Sequence, residues 1–566
     1  MIFGNNRVGR PVGFRDHLFG FFLAAAYIAI LIATADNLGY ARDEGFYFRA
    51  SETYAKWFDI LWDDPKEAIK KSVVDTYWKT NNEHPALVKS VFALTWTILY
   101  KKLGWFAEEG TSFRFGGMLF AGGALWLLYI WGARARSRTV GLVAALLFAL
   151  MPRIFYHSHL DCFDVPIATM WLFAAYAYWR SIQQGGVVWA LTAAVVFGLA
   201  LNTKHNSWFL PFAVIAHLLV SRGPTLLRDI RERRFPLPLS PFAMATIGPL
   251  VFVGLWPWLW FDTFERFLGY VRFHTNHDYY NIVYFGQTYW KPPFPRSWAP
   301  MMTLATVPTI TLVLFVIGFV SRAYARLGYL LVSRAPRPEP DRASTDLLWA
   351  LGVAVAYAPW LSNSTPIFGG TKHWITAYPF MCLFAACGFE LVAKQVRTAL
   401  AAKLPSAVPS RAIDVAVGLC VLSAPLAQTV GSHPWGLSNY VPLVGGAPGA
   451  ASLGLNRQFW GFTTGAVTDW LNEHVPKGGR VYLHDTAWDS WRMLQRDGRV
   501  ASHFRGVFQP HKADASLYHH EEHMQHVEYQ MWVTYGTTAP AHVGVYDGVP
   551  IIYVYARPDI AKPKEK

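Results

Sequence analysis

Apolar runs long enough to cross a bilayer recur along this chain as far as about residue 430, and no other feature constrains its fold as tightly. Hydrocarbon offers no partners to backbone amides, so such runs must satisfy their own hydrogen bonds as helices. The 566 residues are 53% hydrophobic and only 16% charged, where a soluble enzyme would carry about 25% charged residues. The runs are Leu18 to Ala35, then 115–132, 139–152, 165–180, 187–202, 207–221, 241–261, 300–321, 346–361, 374–393 and 412–430. A further run, 86–100, is short, begins at His84-Pro85 and ends at Lys101-Lys102. As a full span it would invert every later loop. As a juxtamembrane helix it leaves the loops holding Arg134 to Arg138, Arg222 to Arg234, Arg322 to Arg342 and Lys394 to Arg411 on one side, which the excess of basic residues makes cytoplasmic.

The expected fold is therefore an all-α polytopic membrane protein of about eleven transmembrane helices plus juxtamembrane helices. Its N-terminus is cytoplasmic, and Leu18 to Ala35 reads as an uncleaved first helix rather than a signal peptide. The expected division is a transmembrane domain over 1–430, with an outer loop at 36–112, and a small extracytoplasmic α/β domain over 431–566. In that domain VTDWLNEHVPKGGRVYLHD reads as helix, turn and strand. VEYQMWVTYG and VPIIYVYARP read as strands, LYHHEEHMQH as an exposed polar helix, and the final KPKEK as a solvated tail. SRAPRPEPDRAS reads as a Pro-rich inner loop. The net charge of +14 belongs to the cytoplasmic loops; no free basic face with interleaved aromatics exists to bind nucleic acid. The four cysteines lie in or near apolar runs at no metal or disulfide spacing.

This topology puts the ionisable motifs on one face. Asp43-Glu44 follows the first helix, where a carboxylate can act as general base toward a hydroxyl or amine. His84-Pro85 opens the juxtamembrane helix. FYHSHLDCFDVP places His157, His159, Asp161 and Asp164 within eight residues; its donors also admit a divalent metal, on His157, His159 and Asp161, although the spacing matches no tight zinc motif. NTKHN (Lys204, His205) and GGTKHW (Lys372, His373) each set a Lys beside a His, and two such motifs opposite carboxylates suit a phosphate clamp. The Tyr-rich loop from Arg272 to Lys291 suits an interfacial belt or sugar stacking.

In that order the motifs resemble the GT-C glycosyltransferases of the protein O-mannosyltransferase and lipid A aminoarabinose transferase type. The matching residues are Asp43-Glu44, His84-Pro85, Asp164-x-Pro166, Thr203-Lys204 and Thr371-Lys372-His373-Trp374 before Tyr378-Pro379. The resemblance spans residues 1 to about 395. It implies transfer of a sugar from a dolichyl- or undecaprenyl-type carrier, bearing one phosphate or two, to a protein, lipid or glycan acceptor outside the cytoplasm, with no cofactor required. Asp43, with Glu44 beside it, would be the catalytic carboxylate. Lys204 and Lys372 would hold the lipid phosphate, and His84, Asp164, His205 and His373 would shape the site. One departure is that Lys372-His373 stands where the family usually has Arg followed by Tyr. The implied place is a multi-pass protein of the bacterial inner membrane with a periplasmic site. A transporter or flippase for a polyprenyl-linked or anionic substrate is the rival reading; it needs midplane charges and repeat symmetry, and the sequence has neither.

Overall fold

The computed structural model describes residues 11–232, 238–331, 341, 344–367, 369–401 and 410–561. KPKEK and most of the Pro-rich inner loop lie outside these residues. Among the described residues five helices are long and apolar enough to cross a membrane: Phe14–Asn37, Glu109–Ala135, Thr309–Gly328, Ile375–Leu400 and Arg411–Ser432. Two bent pairs raise this to seven if each is one span, and Val187–Leu201, Leu239–Gly254 and Thr345–Leu361 are shorter apolar helices. The chain is an integral membrane protein. The run read as one span over 139–152 is instead Arg138–Ala149 and Pro152–His159, which meet at 73°. Pro152 has no amide to continue the first helix, so it starts a second.

Glycines let the helices touch backbone to backbone, the usual device where lipid supplies no hydrophobic drive between helices. A methyl at Gly318 would fall 1.8 Å from the Phe384 carbonyl oxygen, and one at Gly388 would fall 2.1 Å from that of Leu314. At one end of the bundle buried Asp346 gathers three arginines: Arg136, Arg322 at 2.9 Å and Arg326 at 3.0 Å. Two of the four basic segments that the sequence placed on one side thus meet on one carboxylate. At the other end lie the 36–112 segment and the C-terminal sheet. The first of these holds the 22-residue helix Arg42–Asp63, then the short helices Pro65–Ala68 and Lys71–Trp78, and the helix Leu87–Thr95 after His84-Pro85.

Beyond a short antiparallel hairpin (β1, Ile282–Tyr284; β2, Gln287–Tyr289), the strands belong to one five-stranded sheet. They are β3 (Arg480–Tyr482), β4 (Arg505–Val507), β5 (Ala515–His519), β6 (His542–Tyr546) and β7 (Val549–Ala556), in the order β4-β3-β5-β7-β6. β3 pairs in parallel with β4 and β5, while β7 is antiparallel to β5 and β6. Two sequence expectations are reversed here. VEYQMWVTYG lies in the helix Gln525–Tyr535, and LYH of LYHHEEHMQH ends β5. Val, Tyr and Trp favour strands in isolation, but Val527, Met531 and Tyr535 recur every four residues and pack as one helical stripe on Tyr518 and Tyr555.

The sheet region grips the 36–112 segment through ion pairs. Arg499 meets Glu108, Arg496 meets Glu109 and Glu52, and Asp497 accepts from Tyr40 and from the Glu109 amide. Ser490 also donates to the Ala41 carbonyl at 2.8 Å.

Candidate active site

Asp43 and Glu44 occupy the first turn of the 42–63 helix, where the unpaired amides favour acidic side chains. Successive helical residues point about 100° apart, and the two carboxylates part company. Glu44 turns inward. Its side chain and that of Arg114 are both fully buried, joined by bonds of 2.7 and 2.9 Å, and Glu44 also accepts from the Ala41 amide at 2.8 Å. Asp43 turns toward the membrane helices and keeps 19% exposure. Its Oδ2 lies 3.0 Å from Lys372 Nζ and its Oδ1 3.8 Å from Arg42 Nε. Burial alone would raise the Asp43 carboxyl, but Lys372 and Arg42 outweigh it and hold the group below its usual range.

The two Lys-His motifs meet. Asn206 donates to the His373 carbonyl at 2.9 Å, tying NTKHN to GGTKHW. Lys204 is closed onto Asp164 at 2.6 Å, and His157 Nδ1 lies 3.3 Å from the other oxygen of Asp164. The structure therefore brings together Asp43, Lys372, Asp164, Lys204 and His157 as two adjoining ion pairs and an imidazole. His373 packs on Trp360 at a ring separation of 4.5 Å. His84 stands one layer out, between Tyr47, Phe163 and His274, while His205 stacks on His274 at 4.3 Å. Burial, with His274 and Lys89 beside it, holds His84 neutral well below the usual histidine range, and burial takes His274 down to about 4. These two rings offer hydrogen bonds rather than charge at neutral pH.

His157, His159 and Asp161, the sequence's metal candidates, face three separate settings. His159 is held by Thr34 and the Phe155 carbonyl, both at 2.8 Å, whereas the Asp161 amide donates to Glu44 and its carboxyl oxygens are buried without a hydrogen bond. Helical rotation and the break after His159 separate them. Among the described residues no three His, Cys, Asp or Glu side chains gather as a metal-holding group.

Three contributors were not legible in sequence. Trp460, from the C-terminal segment, covers Lys372 at 4.2 Å and approaches His157 at 5.5 Å, and its carbonyl accepts from the Arg42 amide. Asp485 takes Arg42 at 2.6 Å. Arg153 lies against Gly370. Arg153 and Asp485 sit in stretches without a motif; for Trp460 the only cue is an aromatic among apolar neighbours. Gly369 and Gly370 adopt φ of +70° and +71°, and a methyl on Gly369 would fall 2.1 Å from Trp460 Nε1. Gly369→Ala should therefore lose about 1–3 kcal/mol of stability and displace Trp460. Thermal unfolding in detergent, read by tryptophan fluorescence, measures both.

Residues 90–252 match the family described as dolichyl-phosphate-mannose-protein mannosyltransferase. Among solved structures, the chain is similar to ArnT from Cupriavidus metallidurans bound to undecaprenyl phosphate, at 15% identity and a TM-score of 0.46 over 98% of this chain and 100% of that one. It is also similar to the oligosaccharyltransferase of Archaeoglobus fulgidus in its apo form, at 13% identity and a TM-score of 0.46 over 92% of this chain and 71% of that one. None of the curated proteins matches this sequence. The GT-C glycosyltransferase resemblance carried by the ordered motifs thus coincides with a family match over the segment that holds Asp164 and Lys204.

Proposed function

We propose that this GT-C-like chain moves a sugar from a polyprenyl-phosphate or polyprenyl-diphosphate carrier to a protein, lipid or glycan acceptor on the extracytoplasmic side of a bacterial inner membrane. The observation that carries the reading is the largely buried Asp43–Lys372 pair at 3.0 Å: a base and a cation touching at the end of the bundle opposite the arginine cluster. With that cluster in the cytoplasm, the site and the C-terminal sheet lie outside. The reading divides the chain into a membrane domain of about eleven spans over 1–430, counting the short and bent helices, and an outer domain over 431–566.

Asp43 takes the proton from the acceptor hydroxyl or amine. The freed electron pair attacks the anomeric carbon from the face opposite the carrier, the carbon–oxygen bond to phosphate breaks, and its electrons leave on the phosphate. Stabilising that charge is the main electrostatic task. Glu44 does not reach the reactants; with Arg114 it fixes the helix turn that aims Asp43. Lys204 and Asp164 buttress the wall. His84, His205 and His373 line the approach for sugar or phosphate.

Lys372 links binding to chemistry. A phosphate that draws Lys372 away removes the cation that depresses Asp43, and the carboxylate becomes a stronger base when donor is present. The sign is testable. In free protein Lys372 and Arg42 keep Asp43 ionised to a pH below the ordinary carboxylate range. The acid limb of kcat/KM, which reports free enzyme, should lie lower in pH than the acid limb of kcat, which reports the loaded complex. Coincident limbs would argue against the exchange. For the function itself, lipids from a deletion strain should accumulate a polyprenyl-linked sugar by mass spectrometry. Purified protein should discharge that lipid with inversion at the anomeric carbon; an intact lipid after incubation with acceptor would refute the assignment.

A further inference from the structure

Arg153 is a buried cation for which no carboxylate partner is found among the described residues. It lies in the helix Pro152–His159, is 2% exposed, and its Nε and Nη2 have no hydrogen-bond partner. The neighbouring buried cations are matched: Arg114 by Glu44, Lys204 by Asp164 and Lys372 by Asp43. Lys89 has three oxygen acceptors. A buried charge with no counter-charge is strongly unfavourable, and in a membrane protein it marks a functional position.

The surroundings orient this guanidinium without neutralising it. Tyr440 and Phe459 lie against it at 5.2 and 5.1 Å. Its remaining edge borders the glycine turn that leads to Lys372. A methyl on Gly370 would sit 3.3 Å from Arg153 Nη1 and 3.4 Å from the Phe459 ring, so glycine lets the turn pack directly on the guanidinium. The two consecutive left-handed glycines thus set main chain, rather than side chain, beside Arg153.

We propose that Arg153 and the Gly369–Gly370 turn bind an oxyanion of the donor's phosphate beside Lys372. The proposal rests on the transfer reading and replaces the two-lysine clamp expected from the sequence: a guanidinium and an ammonium hold the leaving group, whereas Lys204 stays closed on Asp164 at 2.6 Å. A guanidinium suits this task because it grips phosphate through two parallel hydrogen bonds, which an ammonium such as Lys372 does not offer.

The test uses the full chain in nanodiscs and three probes: a short-chain polyprenyl phosphate, the matching polyprenol and inorganic phosphate. The wild type should prefer the phosphate lipid to the alcohol. Arg153→Met should weaken the phosphate lipid about 10- to 100-fold, the worth of a charge-assisted hydrogen bond, and leave the alcohol unchanged. Inorganic phosphate should compete with the phosphate lipid in wild type and lose that competition in Arg153→Met; competition that persists unchanged in the variant counts against the assignment. Equal weakening of both lipids would make Arg153 a packing residue and overturn the proposal, as would an unchanged phosphate preference. If Arg153→Met does not fold, Arg153→Lys serves. It keeps the charge and loses the planar geometry, and should weaken only the phosphate lipid, by about 3- to 10-fold; unchanged binding of both lipids overturns the proposal. A wild type that transfers sugar while Arg153→Met keeps its phosphate preference refutes this proposal alone, whereas a wild type with no phosphate preference and no transfer removes the functional reading as well.

Discussion

Asp43→Asn will lower sugar transfer by about 10²- to 10⁴-fold, the usual contribution of a positioned general base, and the protein will remain folded and inserted. The asymmetry follows from its setting. Asp43 is partly exposed and contacts two cations that keep other partners: Lys372 retains the Trp460 ring at 4.2 Å and Arg42 retains Asp485 at 2.6 Å. The asparagine keeps a carbonyl oxygen that can accept from buried Lys372, and Arg42 keeps Asp485, so the stability loss should stay below the about 3–5 kcal/mol of a fully broken buried pair. Donor affinity should hold or rise, because Lys372 no longer has to leave a carboxylate to reach phosphate. The loss would then fall on kcat, with KM for the donor unchanged or lower. Single-turnover kinetics with a defined lipid-linked sugar, run beside a melting curve, separate these outcomes. A variant that transfers at the wild-type rate would remove Asp43 from the mechanism.

Glu44→Gln, one residue along, will act in the opposite way and cost the fold first. Glu44 and Arg114 are both fully buried and share two hydrogen bonds. Arg114 also donates to the Gly39 carbonyl at 2.6 Å and the Ala35 carbonyl at 3.3 Å, so this pair ties the end of the first helix to the turn that presents Asp43. Breaking one partner of a buried pair costs about 3–5 kcal/mol. The expected result is a large loss of monodisperse protein on mild heating in detergent. Glu44→Gln combined with Arg114→Met should recover part of the loss, since no lone charge then remains, although the Gly39 carbonyl loses the Arg114 donor. A Glu44→Gln protein with wild-type stability and no activity would instead place Glu44 among the reacting groups. Adjacent carboxylates with opposite phenotypes are the signature expected of a helix turn that points one into the core and the other into the site.

Much of the architecture was legible because apolar length and basic loops are properties of contiguous sequence. The sequence located the membrane helices, the Pro-initiated turns and the cluster of ionisable motifs at one end. It read 139–152 as one continuous helix, because hydropathy registers composition and not the 73° bend before Pro152. It misread the helix Gln525–Tyr535 as a strand, because Val, Tyr and Trp were weighed by propensity and not by their four-residue spacing. It also grouped His157, His159 and Asp161 by closeness along the chain, although their side chains leave in different directions.

By itself, then, the sequence determined which residue types reach the site-bearing end of the bundle: the Asp43-Glu44 pair, Asp164, and the two Lys-His turns. Only the tertiary structure decided the partners. Lys372 meets Asp43 across 329 residues, Lys204 is closed on Asp164 rather than left open, Trp460 arrives from the C-terminal segment, and Arg153 has no carboxylate partner among the described residues. The physical reason is that a membrane span is specified by local transfer free energy. The state of a buried charge depends on whichever opposite charge the helix packing brings within about 4 Å, and that neighbour is rarely close along the chain.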